Sequence, residues 1–327
     1  MKVAVFGGAG YIGSHTIMEL LKKNHEVIAV DNLSSGHAEA IKEAPLYTAD
    51  LSNINAITEL LCEFKADAVM HFAASINVGE SVNDPAKYYY NNVVNTLRLL
   101  SALRECGIYR LVFSGSCAIY GIPEKMPINE NFPLQPISPY GRTKAMMESI
   151  LADYARAYGL KYASLRYFNA SGAMPDGSLG EDHSPETHLI PLVIQAAMGQ
   201  RECITVFGDD YPTPDGTCVR DFVHVLDLAS AHVKALEMLD KTDPLIYNLG
   251  TGRGHSVMEV IESVEKVSGR KVPVENGRRR PGDPPTLVND PKKVMEELQW
   301  EPRLSGLNRI VETAWHWHST HPDGFSS

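Results

Sequence analysis

The stretch VAVFGGAGYIGSH, Val3 to His15, sets a short apolar run against three glycines, Gly7, Gly10 and Gly13, and then opens a helical pattern that continues to Lys22. Val3–Phe6 is too short and too uniformly apolar for a helix, so it reads as a strand buried on both faces. Glycines spaced Gly-x2-Gly-x2-Gly between strand and helix allow a tight turn and a close approach of backbone to a ligand. A pyrophosphate then rests on the helix N-terminus. The next strand, Val27–Val30, runs into Asp31, 18 residues past Gly13. A carboxylate there accepts hydrogen bonds from a ribose diol and repels a 2′-phosphate, which selects NAD over NADP.

Outward from this unit the texture repeats. Val69–Phe72, Leu111–Ser114 and Ala163–Arg166 are further short apolar runs, and Ile54–Phe64, Tyr88–Glu105 and Tyr140–Tyr158 are amphipathic helical patterns between them. Such alternation predicts an α/β protein with a doubly wound parallel sheet of Rossmann type. After Phe168 glycine and proline become frequent, as in NASGAMPDGSLGEDHSP and NGRRRPGDPP, with helical patterns at Leu189–Met198, Val225–Leu239 and Val257–Val267. The expected division is an NAD-binding domain over 1–168 and a smaller substrate-binding lobe over 169–327, with some segments returning to the first domain. The 327 residues carry a net charge of −10, and the only basic cluster is Arg278-Arg279-Arg280, so nucleic acid is excluded as a partner. Five cysteines, an odd number without metal-type spacing, suggest reduced thiols in the cytoplasm. The N-terminal apolar run is too short for a signal peptide, and no segment is long enough to span a membrane. His188 reads as a loop contact, since no second ligand lies at a supporting spacing, and no metal is expected.

SPYGRTKAMMESI, Ser138 to Ile150, places Tyr140 four residues before Lys144 at the start of a helix, so phenol and ammonium share one face. An ordinary phenol has a pKa of about 10 and must become about a thousandfold more acidic, worth about 4 kcal/mol, to act as a base near pH 7. One adjacent cation supplies roughly ten- to thousandfold, so Lys144 alone is barely sufficient. The positive ring of oxidised NAD is the natural second source.

The glycine loop is followed in order by DL at Asp50-Leu51, HFAAS at His71–Ser75, NN at Asn91-Asn92, SGSCAIYG and SPYGRTK. The second half adds RYFNASGA, HLIP, VFGDDYPTPDGTCVRDFVHV, YNLGTG and RRRPGDPP. Together these motifs resemble the extended short-chain dehydrogenase/reductase superfamily, and within it the nucleotide-sugar 4-epimerases, over nearly the whole chain. The resemblance implies NAD contacts from Gly7, Gly10, Tyr11, Ile12, Gly13, Asp31, Asn32, Asp50, Leu51, Phe72, Ala73, Ala74, Asn91, Lys144 and Phe168. It assigns Tyr140 as catalytic base, Ser116 as its hydroxyl partner and Lys144 as the holder of the nicotinamide ribose. Asn169, Leu189, Arg220, Arg280 and Asp283 match nucleotide-sugar contacts. From their chemistry, Arg220 and Arg280 suit a diphosphate, Asp283 the uridine ribose and Phe207 the uracil face. Gly115 and Cys117 stand where many relatives carry Ser, Thr or Ala, and Ile76 replaces a lysine that some relatives carry.

The implied activity is reversible epimerisation of UDP-galactose and UDP-glucose at sugar carbon 4, through a transient 4-keto sugar. Dehydratases and decarboxylases of nucleotide sugars need a further acid or base, usually a carboxylate after the Ser/Thr, and Cys117 and Ala118 stand there instead. An NAD-binding sensor remains an alternative, although such proteins lose the Tyr or Lys that this chain keeps. Leu287 occupies the place that helps set room for N-acetylated sugars and is intermediate in size. Relatives commonly pair as homodimers through two helices, here Tyr88–Glu105 and Tyr140–Tyr158.

Overall fold

Val3, Ala4, Val5 and Phe6 are all buried, and in the computed structural model they form the central strand of a parallel sheet. The structure describes residues 1–241, 244–280 and 282–325. In chain order the first elements are β1 (Lys2–Phe6), α1 (Tyr11–Lys22), β2 (Glu26–Asp31), β3 (Leu46–Thr48), α2 (Ile54–Phe64) and β4 (Ala68–His71). There follow α3 (Val78–Asn83), α4 (Pro85–Tyr88), a π-helical stretch Tyr89–Val94, α5 (Asn95–Glu105), β5 (Arg110–Ser116), α6 (Pro139–Tyr158) and β6 (Lys161–Tyr167). The remainder is β7 (Asn169–Ser171), α7 (Leu189–Met198), β8 (Ile204–Phe207), β9 (Val219–His224), α8 (Val225–Met238), β10 (Leu245–Leu249) and β11 (Gly254–Ser256). It closes with α9 (Val257–Ser268), β12 (Val274–Gly277), β13 (Thr286–Leu287), α10 (Lys292–Glu297) and α11 (Leu307–Thr320).

The main sheet has the strand order β10-β6-β5-β4-β1-β2-β3. The pairings from β3 across to β5 are parallel, with Val3 opposite Val27 on one side and Ala68 on the other. The chain leaves β1 toward β2 and β3, then returns to β4 on the other side. That reversal is the switch point where open α/β sheets leave a crevice at their carboxyl ends. Ala4, Phe6, Ile57, Leu99, Leu103 and Met147 belong to the core on one face of this sheet.

The chain divides into two compact units. The first holds Met1–Gly121, Pro133–Arg166 and Ala229–Tyr247; the second holds Ile122–Phe132, Tyr167–Leu228 and everything from Asn248 onward. In the second unit β9 is the centre: β7 and β13 pair with it in parallel and β11 antiparallel. Its core joins α7, α9 and α11 through Val193, Ile194, Val260, Val264, Ile310 and Val311.

Two expectations change. Tyr88–Glu105 is not one regular helix: the Tyr89–Val94 stretch is wider than an α-helix and lies between α4 and α5. The extra width turns Asn91 and Asn92 toward the loop after β4, where Asn92 bonds Ser75 through both its amide nitrogen and oxygen. The expectation of reduced thiols also fails for two of the five cysteines. Cys62 on α2 and Cys106 at the end of α5 are joined by a disulfide, because those two helices pack together and bring the Cα atoms to 5.2 Å. Cys117, Cys203 and Cys218 are free.

Candidate active site

The glycine loop is built for close approach. Gly7 has φ +73°, and a Cβ on it would lie 2.5 Å from the Ala73 nitrogen. A Cβ on Gly13 would strike the Gly7 carbonyl, so α1 can start directly beneath the turn only with glycine there. Gly10 is the N-cap of α1 and supplies no capping side chain, which leaves the first-turn N–H groups for a ligand. Asp31, at the end of β2, accepts from the Ala9 nitrogen at 3.0 Å and the Leu33 nitrogen at 2.9 Å. Burial raises its pKa, and these backbone bonds oppose the shift. Asn32 donates to Asp50 at 2.6 Å, and Asp50, also bonded by Ser52, is more acidic than usual. Phe72 and Ala73 both donate their N–H to the Phe6 carbonyl, fixing the chain as it leaves β4. Asn91 donates to Ser75 Oγ at 3.0 Å. Gly7, Asp31, Asp50 and Phe72 thus gather just past the carboxyl ends of β1 to β4. A cradle that a single added Cβ would fill, with a carboxylate on its rim, fits a dinucleotide.

Ser116 ends β5 and Tyr140 begins the first turn of α6. Ser138 caps that helix, accepting from the Gly141 nitrogen at 3.1 Å, and Pro139 takes the first position. Gly141 has no room for a side chain, since a Cβ would meet the Ala118 carbonyl at 2.6 Å. The helix start is therefore pressed against the chain leaving β5, which brings the Ser116 hydroxyl close enough to the Tyr140 phenol to lower its pKa. Gly115 is explained the same way: a Cβ would press on Leu165 and Ser164 of β6.

Lys144 lies one turn on, buried, and donates from Nζ to the Ser114 carbonyl at 2.7 Å and Ser114 Oγ at 3.4 Å. Burial pushes its pKa down to about 7, against the pull of Glu148. Burial pushes the Tyr140 phenol up to about 12; the Ser116 hydroxyl lowers it and Cys117 raises it further. The expected easing of the phenol by Lys144 is not what the chain's own groups produce. Lys144 is directed at Ser114, and both groups are shifted toward their neutral forms because they share a dry site.

Sequence reasoning missed what anchors α6. Glu148, one turn beyond Lys144, forms a buried pair with Arg166 of β6: Nε to Oε1 at 2.9 Å and Nη2 to Oε2 at 2.5 Å. Ser164 donates to Glu148 Oε1 at 2.7 Å, and Arg166 Nη1 donates to the Tyr120 hydroxyl at 2.7 Å. The two charged side chains are only 6% and 5% exposed. Their sequence separation hid them.

Tyr11, Ile12, Leu51, Ala74 and Ile76 also belong to the first unit, with Ile76 exposed. Phe168 is the one cofactor candidate in the second unit, where its N–H donates to the Leu249 carbonyl. All the candidates expected for the nucleotide sugar alone are in the second unit. Asn169 Nδ2 donates to the Asp221 carbonyl at 2.8 Å, and Leu189 is the first residue of α7. Arg220 and Asp283, assigned separate tasks by the sequence, are bonded to each other at 3.0 Å. Arg280 lies over the Phe207 ring at 3.9 Å, so the two share a face. Leu287 is opposite Arg220 in the β13–β9 ladder. Pro281 of the RRRPGDPP run lies outside the described residues. Asp221, next to Arg220, is fully buried and accepts from the nitrogens of Thr251, Gly252 and Asn289 and from the Thr251 hydroxyl.

His188 has the partners that the spacing argument did not find. Glu181, His183, Glu186 and His188 bring one nitrogen or oxygen each to within 4.8 Å of all the others. The eight-residue loop folds back on itself, so ligand-type residues two and three apart converge.

The NAD dependent epimerase/dehydratase family matches residues 3–250. The UDP-glucose 4-epimerase of Lactobacillus helveticus is 49% identical over 99% of this chain and 99% of its own. The crystal structure of UDP-glucose 4-epimerase from Brucella ovis in complex with NAD superposes with a TM-score of 0.95 at 50% identity, covering 97% of this chain and 98% of that one. The structure of UDP-glucose 4-epimerase from Bifidobacterium longum in complex with NAD+ and UDP gives a TM-score of 0.95 at 38% identity, over 99% and 100% of the two chains. A glycine cradle at the switch point, a buried Ser-Tyr-Lys set beside it and a likeness along the full chain converge, and the chain belongs to the NAD dependent epimerase/dehydratase family.

Proposed function

We propose that the protein interconverts UDP-galactose and UDP-glucose as an NAD-dependent 4-epimerase. The observation that carries the reading is the buried pair Ser116 and Tyr140, with buried Lys144 one turn further along the same helix. Gly7, Gly10, Tyr11, Ile12, Gly13, Asp31, Asn32, Asp50, Leu51, Phe72, Ala73, Ala74, Asn91, Lys144 and Phe168 are the residues assigned to NAD. When bound, NAD supplies the acceptor and donor of hydride at sugar carbon 4, and a positive charge that favours a phenolate.

Tyr140 takes the proton of the sugar 4-hydroxyl, with Ser116 bridging. It holds that proton while carbon 4 is at the ketone level and returns it once the sugar has turned over. Because the phenol of the chain alone sits near pKa 12, fewer than about one molecule in 10⁴ carries phenolate at neutral pH. The base is therefore effective only in the loaded protein. Arg220 and Arg280 hold the diphosphate, with Asn169 and Leu189 as further contacts. Asp283 exchanges its bond with Arg220 for the uridine ribose, and Phe207 meets the uracil. The absence of a carboxylate at Cys117 and Ala118 favours simple epimerisation over dehydration or decarboxylation. The reading places the enzyme in the cytoplasm, where NAD and nucleotide sugars are held, as a homodimer paired through Tyr88–Glu105 and Tyr140–Tyr158. No helix among the described residues is long and apolar enough to cross a membrane.

Incubation with UDP-galactose and no added oxidant tests it. UDP-glucose should accumulate to equilibrium while NAD, recovered from the denatured protein, stays stoichiometric with the chain. Recovery of NADP alone, consumption of free NAD, or a dehydrated or decarboxylated product would overturn the reading.

A further inference from the structure

We propose that Glu181, His183, Glu186 and His188 form a binding site for one divalent transition-metal ion of the Zn²⁺ type. The edges of the cluster have the right size. Metal–ligand bonds of about 2.0–2.1 Å in a tetrahedron place the ligand atoms about 3.3 Å apart. Glu181 Oε1 lies 3.2 Å from His183 Nδ1 and 2.6 Å from His188 Nδ1. Glu186 Oε2 lies 3.8 Å from His183 Nδ1, and Glu186 Oε1 lies 3.4 Å from His188 Nδ1. These contacts straddle the tetrahedral value; Glu186 meets the two imidazoles through different oxygens and ligates through one of them, and both imidazoles turn Nδ1 inward.

The donor set selects the ion. Two imidazole nitrogens with two carboxylates suit Zn²⁺ and its neighbours, whereas Mg²⁺ and Ca²⁺ prefer oxygen alone. Two carboxylates and two neutral imidazoles also cancel the charge of a dication.

The loop is held independently of any ion. Gly180 packs under the Trp317 indole, where no Cβ fits, and Trp317 Nε1 donates to the Glu181 carbonyl at 3.0 Å. Asp182 accepts from the Phe325 nitrogen at 2.8 Å. Glu186 Oε1 accepts from the backbone nitrogens of Thr187 and His188 at 2.6 and 2.8 Å, which fixes its carboxylate plane. The Glu181 side chain is 4% exposed and that of His188 is 46% exposed, so the site has a buried floor and one open side for entry. His188 is the N-cap of α7 and Leu189 its first residue. An ion held here would tie the loop to the start of that helix.

The test is equilibrium dialysis of the chelator-treated, NAD-containing protein against Zn²⁺, with bound metal measured by elemental analysis. One Zn²⁺ per chain is expected that His183→Gln/His188→Gln does not bind, its affinity falling by at least about a hundredfold, more than the loss of an outer-shell partner costs. A large excess of Mg²⁺ or Ca²⁺ should not displace it, and Co²⁺ in its place should show the intense visible bands of four-coordinate geometry. Glu186→Gln, which keeps its size and its backbone bonds, is the second variant should the double one lose its fold or its NAD. It too should weaken Zn²⁺ binding and alter the Co²⁺ spectrum. No bound Zn²⁺, equal binding by parent and variants, or a six-coordinate Co²⁺ spectrum would overturn the proposal and leave four side chains joined by imidazolium–carboxylate pairs.

Discussion

Replacing Arg166 by Met should cost far more stability than a surface ion pair is worth. The guanidinium makes two bonds to Glu148 and one to the Tyr120 hydroxyl, and Met fills the space with none of them. Glu148 then keeps only the Ser164 hydroxyl as a partner while remaining almost wholly buried. Removing one member of a buried pair typically costs about 3–5 kcal/mol, because an uncompensated charge is left in a medium that solvates it poorly. Exposed pairs such as Arg156–Asp153 give about 0–1 kcal/mol. The Arg166→Met/Glu148→Leu double variant removes both charges together and should recover most of the loss. Urea unfolding of the NAD-loaded protein at fixed NAD, followed by two probes that must coincide, gives the free energies. A cost below about 1 kcal/mol for Arg166→Met, or a double variant as unstable as the sum of the singles, would show that this pair is not the buried anchor described here.

Tyr140→Phe should keep the fold and NAD but lose about 10²–10⁴ in turnover, the usual worth of a positioned base; near-parental turnover would remove Tyr140 from that role. Lys144→Ala should release NAD more readily, yet leave the acid limb of the pH–rate profile in place, because the ammonium bonds Ser114 and not the phenol; a displaced limb would mean its charge reaches the phenol in the complex. Burial, then the Lys144 charge, holds His71 near pKa 3, against an ordinary 6.5. Only the unfolded chain binds that proton between these values, so stability should fall as pH drops from 6.5 toward 3. His71→Gln should flatten that acid limb, and an unaltered limb would refute the assignment. Arg280→Ala should weaken UDP binding by about 2–5 kcal/mol in calorimetry without altering NAD content; equal affinity would show that Arg280 does not hold the diphosphate.

The parallel sheet was legible because its strands are continuous apolar runs. Val27–Val30 and Val69–Phe72 fall within a residue or two of β2 and β4, and Ile54–Phe64 coincides with α2. Edge strands were not. Leu46–Thr48 is short and largely exposed, and Leu245–Leu249, although mostly buried, joins the sheet from far along the chain, so its place at the sheet edge carries no local signal. The glycine turn and the Tyr-x3-Lys pair could be read because each is local. Partners brought together by folding could not: Glu148 with Arg166, Cys62 with Cys106, Arg220 with Asp283. The 181–188 cluster is local but irregular. Its spacing carries no helical or strand period, so convergence depends on a loop path that no sequence pattern fixes. The upward shift of the Tyr140 phenol in the chain alone was not legible, because the cost of drying a phenol is invisible until its neighbours are known.

Asp221 has a consequence for anyone who would retarget the enzyme. Its single carboxylate is the shared clasp of two stretches far apart in the chain, at Thr251-Gly252 and Asn289, each gripped through the backbone. Apart from the Thr251 hydroxyl, which also bonds Asp221, and Gly252, whose φ is +75°, the grip is through backbone N–H groups, so it constrains the path of the two stretches more than their side chains. Such loops are not interchangeable parts: a segment transplanted from a paralogue must offer an N–H at the same height, or it unfastens the other. Redesign of this unit should therefore alter side chains on the existing trace, with length changes confined to loops that Asp221 does not hold.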